Sequence, residues 1–358
     1  MSPFMVIMAV FAMIGAADRI FGNRLGLGRE FERGFNILGP TILSMVGMIV
    51  LAPWMAQVLA PVFAFLRDTL HMDPSILPAS LFANDMGGAS LSLALASDAG
   101  IGSFNALVVS AMMGCTVSFT IPYALEVVDK KLHRELLMGL LCGIMTIPLG
   151  CFAGGLVQGL PLVPLMMNLL PLVIFAVMIA IGLMCCPDLC VKIFSAFGTL
   201  IKVLITFGLA LAMLDYMLGI RLVEGLAPLQ EGVDICVAAC VTLAGTFPLM
   251  AVVSRVLRKP MRIFGAKLGI NETAALGLIG SLATSRTTFE AMPDMDKKGV
   301  MMNAAFCVSA AFTFGGHLAF TMAIDPAMVE EMIVGKLVAG VLALGGASFV
   351  FSRVKTKE

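Results

Sequence analysis

Charge is what this sequence has least of. Only 13% of its 358 residues are Asp, Glu, Lys or Arg, about half the share of a soluble globular domain. Lys and Arg (23) equal Asp and Glu (23), so no basic excess is available to grip nucleic acid or an anionic lipid face. Histidine is scarce as well, at three. The cluster Cys185, Cys186, Cys190 has no histidine or second cysteine pair beside it, so no metal site is read there. The remaining cysteines lie mostly inside apolar stretches and form no soluble disulfide framework. Enzyme signatures are missing too: there is no phosphate loop, no GxSxG elbow and no HExxH, since His133-Arg134-Glu135 lacks the order and the second histidine. The sequence therefore points to no enzyme, no cofactor and no nucleic-acid partner.

What is present is apolar. The AVILMFWYC share is 59% and the mean hydropathy +1.01, spread over successive stretches long enough to cross lipid, for which about 20 residues suffice. The stretches are 4–21, 35–64, 103–125, 136–158, 170–187, 193–217, 233–257, 300–322 and 330–352. Met1 to Gly22 has no positive residue ahead of its apolar run and reads as a retained first helix. The expected class is an all-α polytopic membrane protein with about 9–11 transmembrane helices.

Two segments fit that list badly. Residues 76–98 and 268–286 carry acid, amide, glycine and hydroxyl side chains at the middle or start, and are read as broken or re-entrant hairpins. With both returning to their side of entry, the basic loops fall together: Arg19 to Arg33, Lys130 to Arg134, Arg255 to Lys267, Lys297 and Lys298, and Arg353 to Lys357. The opposite side keeps Arg67 and Arg221. The positive-inside rule then places the carboxyl terminus in the cytoplasm.

Weak self-similarity suggests two repeats, 1–160 and 161–358, each holding one hairpin. Asn84-Asp85 before Asn105 is echoed by Asn271-Glu272 before Asn303. An inverted pair of repeats around interrupted segments is a transporter pattern, with the site where the repeats meet. On helix 136–158, Gly139, Gly143, Gly150 and Gly154 share a face and read as a packing seam.

An ionisable side chain within a membrane is costly, so one that persists commonly faces a cavity. Asp85 and Glu272 are the candidates to hold a cation. Asn84, Asn271, Thr273 and Ser285 offer amide and hydroxyl partners, and Trp54 and Phe82 offer cation–π faces. Arg286 and Thr284 close the second hairpin. Asn105 and Asn303 sit in matching helices as architectural or gating residues, and His317 is the histidine within an expected span. Asp18 and Asp98 read as solvated residues near the interfaces.

These residues also carry a resemblance. GNRLGLGREFERGFNILGPTILSMVGMIVLAP (22–53), SLFANDMGGASLSLALA (80–96) and KLGINETAALGLIGSLATS (267–285) are similar to the EutH family of bacterial ethanolamine permeases, and the likeness runs over nearly the whole chain. The resemblance implies a multi-pass protein of the bacterial inner membrane that admits ethanolamine, expected here as the protonated amine. It carries over no residue roles. The rival reading from the residues is an ion-coupled carrier, driven by sodium or protons, of another small polar solute such as a carboxylate. Homo-oligomerisation stays open.

Overall fold

The computed structural model describes residues 3–70 and 72–355, apart from the side chains of 62–70 and 354–355. Met1, Ser2 and Lys357 lie outside the described residues. Among the described residues the regular structure is helical, without strands: α1 (Pro3–Ile20), α2 (Leu27–Asn36), α3 (Leu38–Leu70), α4 (Ile76–Leu81), α5 (Gly88–Leu95), α6 (Ala99–Phe104), α7 (Ile121–Val127), α8 (His133–Val157), α9 (Leu162–Cys185), α10 (Pro187–Leu218), α11 (Leu229–Leu268), α12 (Glu272–Ala283), α13 (Ser285–Glu290), α14 (Lys297–Ala310), α15 (Gly316–Ile324) and α16 (Val329–Lys355). Between α6 and α7 the backbone stays helical with wider π turns over Asn105–Gly114 and Thr116–Thr120.

Eight of the described helical runs are long and apolar enough to cross a membrane, so this is a multi-pass membrane protein. Along α9, Leu162, Val163, Met166, Leu170, Ile174, Met178 and Ile181 are all exposed, a face that belongs against lipid. The continuous stretch expected over 300–322 is interrupted. It ends as α14 at Ala310 and resumes as α15 at Gly316. That break is where the interior opens.

Close packing sets the core. The glycine face of α8 meets α14 and α16: a Cβ on Gly143 would lie 2.5 Å from Val308 Cβ and 2.6 Å from the Ala305 carbonyl, and one on Gly154 would lie 2.8 Å from the Glu331 carbonyl. Lipid tails are as apolar as leucine, so helices gain little by excluding them. Dispersion and close backbone approach hold such a bundle together, and both need small residues at the crossing.

Polar side chains tie the interrupted segments to this scaffold. Asp73 accepts N–H groups from Ser75, Ser97 and Asp98, joining the two ends of the α4–α5 pair. Asn105 and Asn168 exchange amide hydrogen bonds at 3.0 and 2.7 Å, and Asn105 also donates to Ser75 Oγ. Asp98 and Asp296 cap the following helices, accepting from Ile101 and Gly299. The reading of Asp18 as solvated needs correction, whereas Asp98 is exposed as expected. Asp18 is buried and accepts the N–H groups of Leu25, Leu27 and Gly28, and Asp98 is a helix cap. Backbone donors at a helix start are orphaned unless a side chain meets them.

Overpacking a tight core costs about 1–3 kcal/mol, and more where backbone blocks relaxation. We expect Gly143→Leu to abolish the monodisperse peak of the detergent-solubilised protein in size-exclusion chromatography. Gly345→Leu on α16, with nothing within 4 Å of its would-be Cβ, keeps the wild-type profile. A monodisperse Gly143→Leu would contradict the seam.

Candidate functional site

The first break lies between α4 and α5. Phe82 and Ala83 turn extended, Asn84–Met86 make one tight turn, and Gly87 enters α5 at φ 91°. That left-handed conformation suits glycine, and a side chain there would also run into Met48. The break frees backbone groups that lipid cannot satisfy. The π-wound helix meets them: Ser110 Oγ donates to the Phe82 carbonyl, and the Ala83 N–H donates to Ser118 Oγ.

The second break lies at Thr284, extended between α12 and α13, and it pairs with the gap between α14 and α15. Phe312 N–H donates to the Ser281 carbonyl at 2.9 Å and Phe314 N–H to the Leu282 carbonyl at 2.8 Å. Phe312 sits at φ 61°, a conformation that costs a side-chain-bearing residue about 1–2 kcal/mol. Its ring packs on Phe119 and His317 at centroid distances of 5.7 and 5.1 Å.

A cavity of about 370 Å³ lies where the breaks meet, within the usual size of a small-ligand site. Asp85 and Met86 face it from the first break, Ala283, Thr284 and Arg286 from the second, and Phe312, Gly316, His317 and Phe320 from the third. Arg33, Thr41, Ser44 and Met45 enter from α2 and α3, Leu243 and Phe247 from α11, and Cys115 and Phe119 from the π-wound helix.

Its closed end is polar and charged. Asp85 is half-buried, and its carboxylate has no hydrogen bond and no ion pair within 4.0 Å among the described residues; its own N–H donates to Asn84 Oδ1. A Cβ on Gly316 would lie 3.5 Å from Asp85 Oδ2. The carboxylate therefore sits against the start of α15, where Gly315 supplies no side-chain cap and the helix dipole favours negative charge. Behind this wall is Lys336, 1% exposed. Its Nζ donates to the Ala111 carbonyl at 2.7 Å and lies 3.0 Å from His317 Nδ1. At the open end Arg33 and Arg286 are exposed and stack over Phe247 and Phe119, at 4.7 and 5.4 Å.

Four of the residues singled out in the sequence line the cavity: Asp85, Thr284, Arg286 and His317. Asn84 and Ser285 are buried next to lining residues, and Asn84 Nδ2 and Ser285 Oγ have no hydrogen-bond partner among the described residues. Five others are placed elsewhere. Asn271 is the N-cap of α12, accepting from Ala274 N–H and donating to the Asp294 carbonyl. Glu272 is exposed, 3.9 and 3.7 Å from Arg258 and Arg262, and Thr273 is half-buried outside the cavity. Trp54 lies on α3 and does not line the cavity, while the Phe82 ring packs on Phe197 at 5.4 Å. The amide–acid dipeptide thus does two different jobs: at 84–85 it occupies a break, and at 271–272 it starts a helix, where asparagine is a preferred cap. Asn105 and Asn303 bind scaffold and not cavity, Asn303 donating to the Ala274 and Gly299 carbonyls.

Sequence reasoning passed over Lys336. Its signal was a lone lysine inside an apolar stretch of spanning length, which is itself grounds to suspect a functional site.

Comparison with known proteins gives consistent, nearly full-length matches. The chain is 41% identical over 354 residues to the probable ethanolamine permease EutH of Listeria monocytogenes serotype 1/2a (strain 10403S), covering 98% of this chain and 94% of that protein. It is 37% identical over 381 residues to the probable ethanolamine permease EutH of Escherichia coli (strain K12), covering 96% and 93%. It is 36% identical over 352 residues to the uncharacterized protein YxeR of Bacillus subtilis (strain 168), covering 98% and 95%. No solved structure matches. The family described as Ethanolamine utilisation protein, EutH, matches residues 2–350, and the chain belongs to that family.

Proposed function

We propose that this protein is a permease of the bacterial inner membrane that admits ethanolamine, and that the amine binds at Asp85. The observation that carries the reading is a carboxylate without a hydrogen-bond or ion-pair partner among the described residues, at the closed end of a small cavity among broken helices. The names of the relatives supply the substrate. Ethanolamine has an amine at one end and a hydroxyl at the other. Asp85 accepts N–H hydrogen bonds from the first, and the polar groups on the facing wall are left for the second. Passage follows when one half moves against the other. Each half, 1–160 and 161–358, holds a helix–break–helix followed by an Asp-capped helix with an asparagine seven residues on, Asn105 after Asp98 and Asn303 after Asp296. The positive-inside distribution supports a cytoplasmic carboxyl terminus.

The species that enters is set by charge balance. The sequence alone favours the protonated amine, because an alkylamine is mostly protonated near neutral pH and Asp85 and Glu272 offer carboxylates for its ammonium head. Glu272 is at the surface, and the buried Lys336 contacts His317, the chain neighbour of the Gly316 that lies against Asp85. An Asp85 carboxylate and a Lys336 ammonium already cancel. The uncharged amine then binds without stranding a charge in a poorly solvated end, where an uncompensated ion is expensive. A sodium-coupled carboxylate carrier has less support, since its second acidic group is absent from the cavity lining.

A hydrogen bond to a charged acceptor contributes about 1.5–3 kcal/mol. In proteoliposomes we expect Asp85→Asn to lower ethanolamine uptake below saturation by about 10- to 100-fold, with Glu272→Gln and Trp54→Leu near wild type. Wild-type uptake by Asp85→Asn would remove Asp85 from the site.

The charged species is tested by pH. Alkylammonium groups titrate well above neutrality, lysine near 10.4, so the uncharged fraction falls about tenfold per pH unit. At fixed total ethanolamine, with empty liposomes subtracted, uptake is expected to fall about 100-fold from pH 7.5 to 5.5. Uptake that stays constant would show that the cation is carried.

A further inference from the structure

We propose that Lys336 is a positioning residue that holds His317 as an N–H donor, and that His317 Nε2–H reads the hydroxyl of the substrate while Asp85 takes its amine. The inference rests on the permease reading above and assigns the second half of substrate recognition to residues of this chain.

The argument runs from hydrogen-bond inventory. An ammonium group has three donors and no acceptor. Lys336 Nζ donates one hydrogen bond to the Ala111 carbonyl at 2.7 Å, and its contact with His317 Nδ1 is 3.0 Å. With Lys336 charged, Nδ1 accepts, which makes the ring neutral and places its proton on Nε2. Nε2 has no hydrogen-bond partner among the described residues, although His317 is 1% exposed and lines the cavity. An N–H donor without a protein acceptor, in a side chain this buried, is aimed at something the cavity receives.

The placement suits a small amino alcohol. Gly316 adjoins His317 in the chain and lies against Asp85 Oδ2, so acceptor and donor flank the same end of the cavity. Phe312 packs on the His317 ring at 5.1 Å and limits its rotation. Lys336 fixes the ring from behind, buried and without direct access to the ligand. A carboxylate accepts from the amine, and a fixed N–H donates to an oxygen two carbons away. An alkylamine of the same length with no hydroxyl would leave the Nε2–H unpartnered, and sites built around such a donor discriminate against the analogue that cannot satisfy it.

The test compares uptake of ethanolamine and ethylamine by wild type, His317→Leu, His317→Gln and Lys336→Met in proteoliposomes, with 15N NMR of labelled histidine as a second readout. Wild type is expected to prefer ethanolamine. His317→Leu lowers that preference about tenfold, read as the ratio of the two uptakes. His317→Gln keeps most of it, because a glutamine carbonyl still accepts from Lys336 and its amide still donates forward. The His317 signal, assigned by its loss in His317→Gln, shows the Nε2–H tautomer in wild type and a tautomer mixture in Lys336→Met. Equal loss of both amines in His317→Leu, or an Nδ1–H tautomer in wild type, overturns the proposal. Wild-type protein that carries neither amine overturns the permease reading itself, while the tautomer measurement still decides the role of Lys336.

Discussion

A helix interrupted inside an apolar bundle exposes N–H and carbonyl groups that lipid cannot hydrogen-bond, each costing several kcal/mol if left alone. The rest of this structure depends on how that constraint is met. At the first break, Ser110 and Ser118 of the π-wound helix serve the backbone of Phe82 and Ala83. At the second, backbone pairs with backbone, Phe312 and Phe314 donating to Ser281 and Leu282. The solutions differ but have one consequence. Non-helical chain from three places is gathered around a single hollow, and the polar side chains on those segments come with it.

Once the breaks are gathered, charge decides what the hollow can accept. Asp85 stands against the start of α15, with no group of the described residues bonded to its carboxylate, and Lys336 stands behind the wall with two bonds to protein. One charge is therefore committed to the scaffold, and its partner is open to the cavity. Arg33 and Arg286, stacked on phenylalanines at the exposed end, contribute less because solvent screens them. The glycine seam of α8 against α14 and α16 lies behind the polar end and holds α16, and with it Lys336, at a fixed height.

Most of the architecture was legible in the sequence because spanning length and hydropathy are direct physical requirements. The two polar, glycine-bearing segments stood out for the same reason, and the helix within 76–98 is interrupted at residues 82–87. The 300–322 stretch did not show its break. Phe312 adopts a left-handed conformation without being glycine or asparagine, so nothing at that position announced it. Glu272 was misread because a dipeptide has no tertiary address: the pair that sits in a break in one half caps a helix in the other. Trp54 and Phe82 were chosen for aromatic character alone, whereas the rings that line the cavity are Phe119, Phe247, Phe312 and Phe320. Lys336 was visible as a single cation in an apolar run, but its meaning came only from the 3.0 Å contact with His317.

The central claim is that the amine of the substrate lies against the Asp85 carboxylate, and the most direct measurement is a distance. Rotational-echo double-resonance solid-state NMR on membranes containing protein with 13C-labelled aspartate and 15N-labelled ethanolamine reports close approach of the amine nitrogen to a side-chain carboxyl carbon. The account predicts a clear dephasing signal in wild type that disappears in Asp85→Asn. A signal that persists in Asp85→Asn, or bound ethanolamine with no nearby aspartate carboxyl carbon, would contradict it.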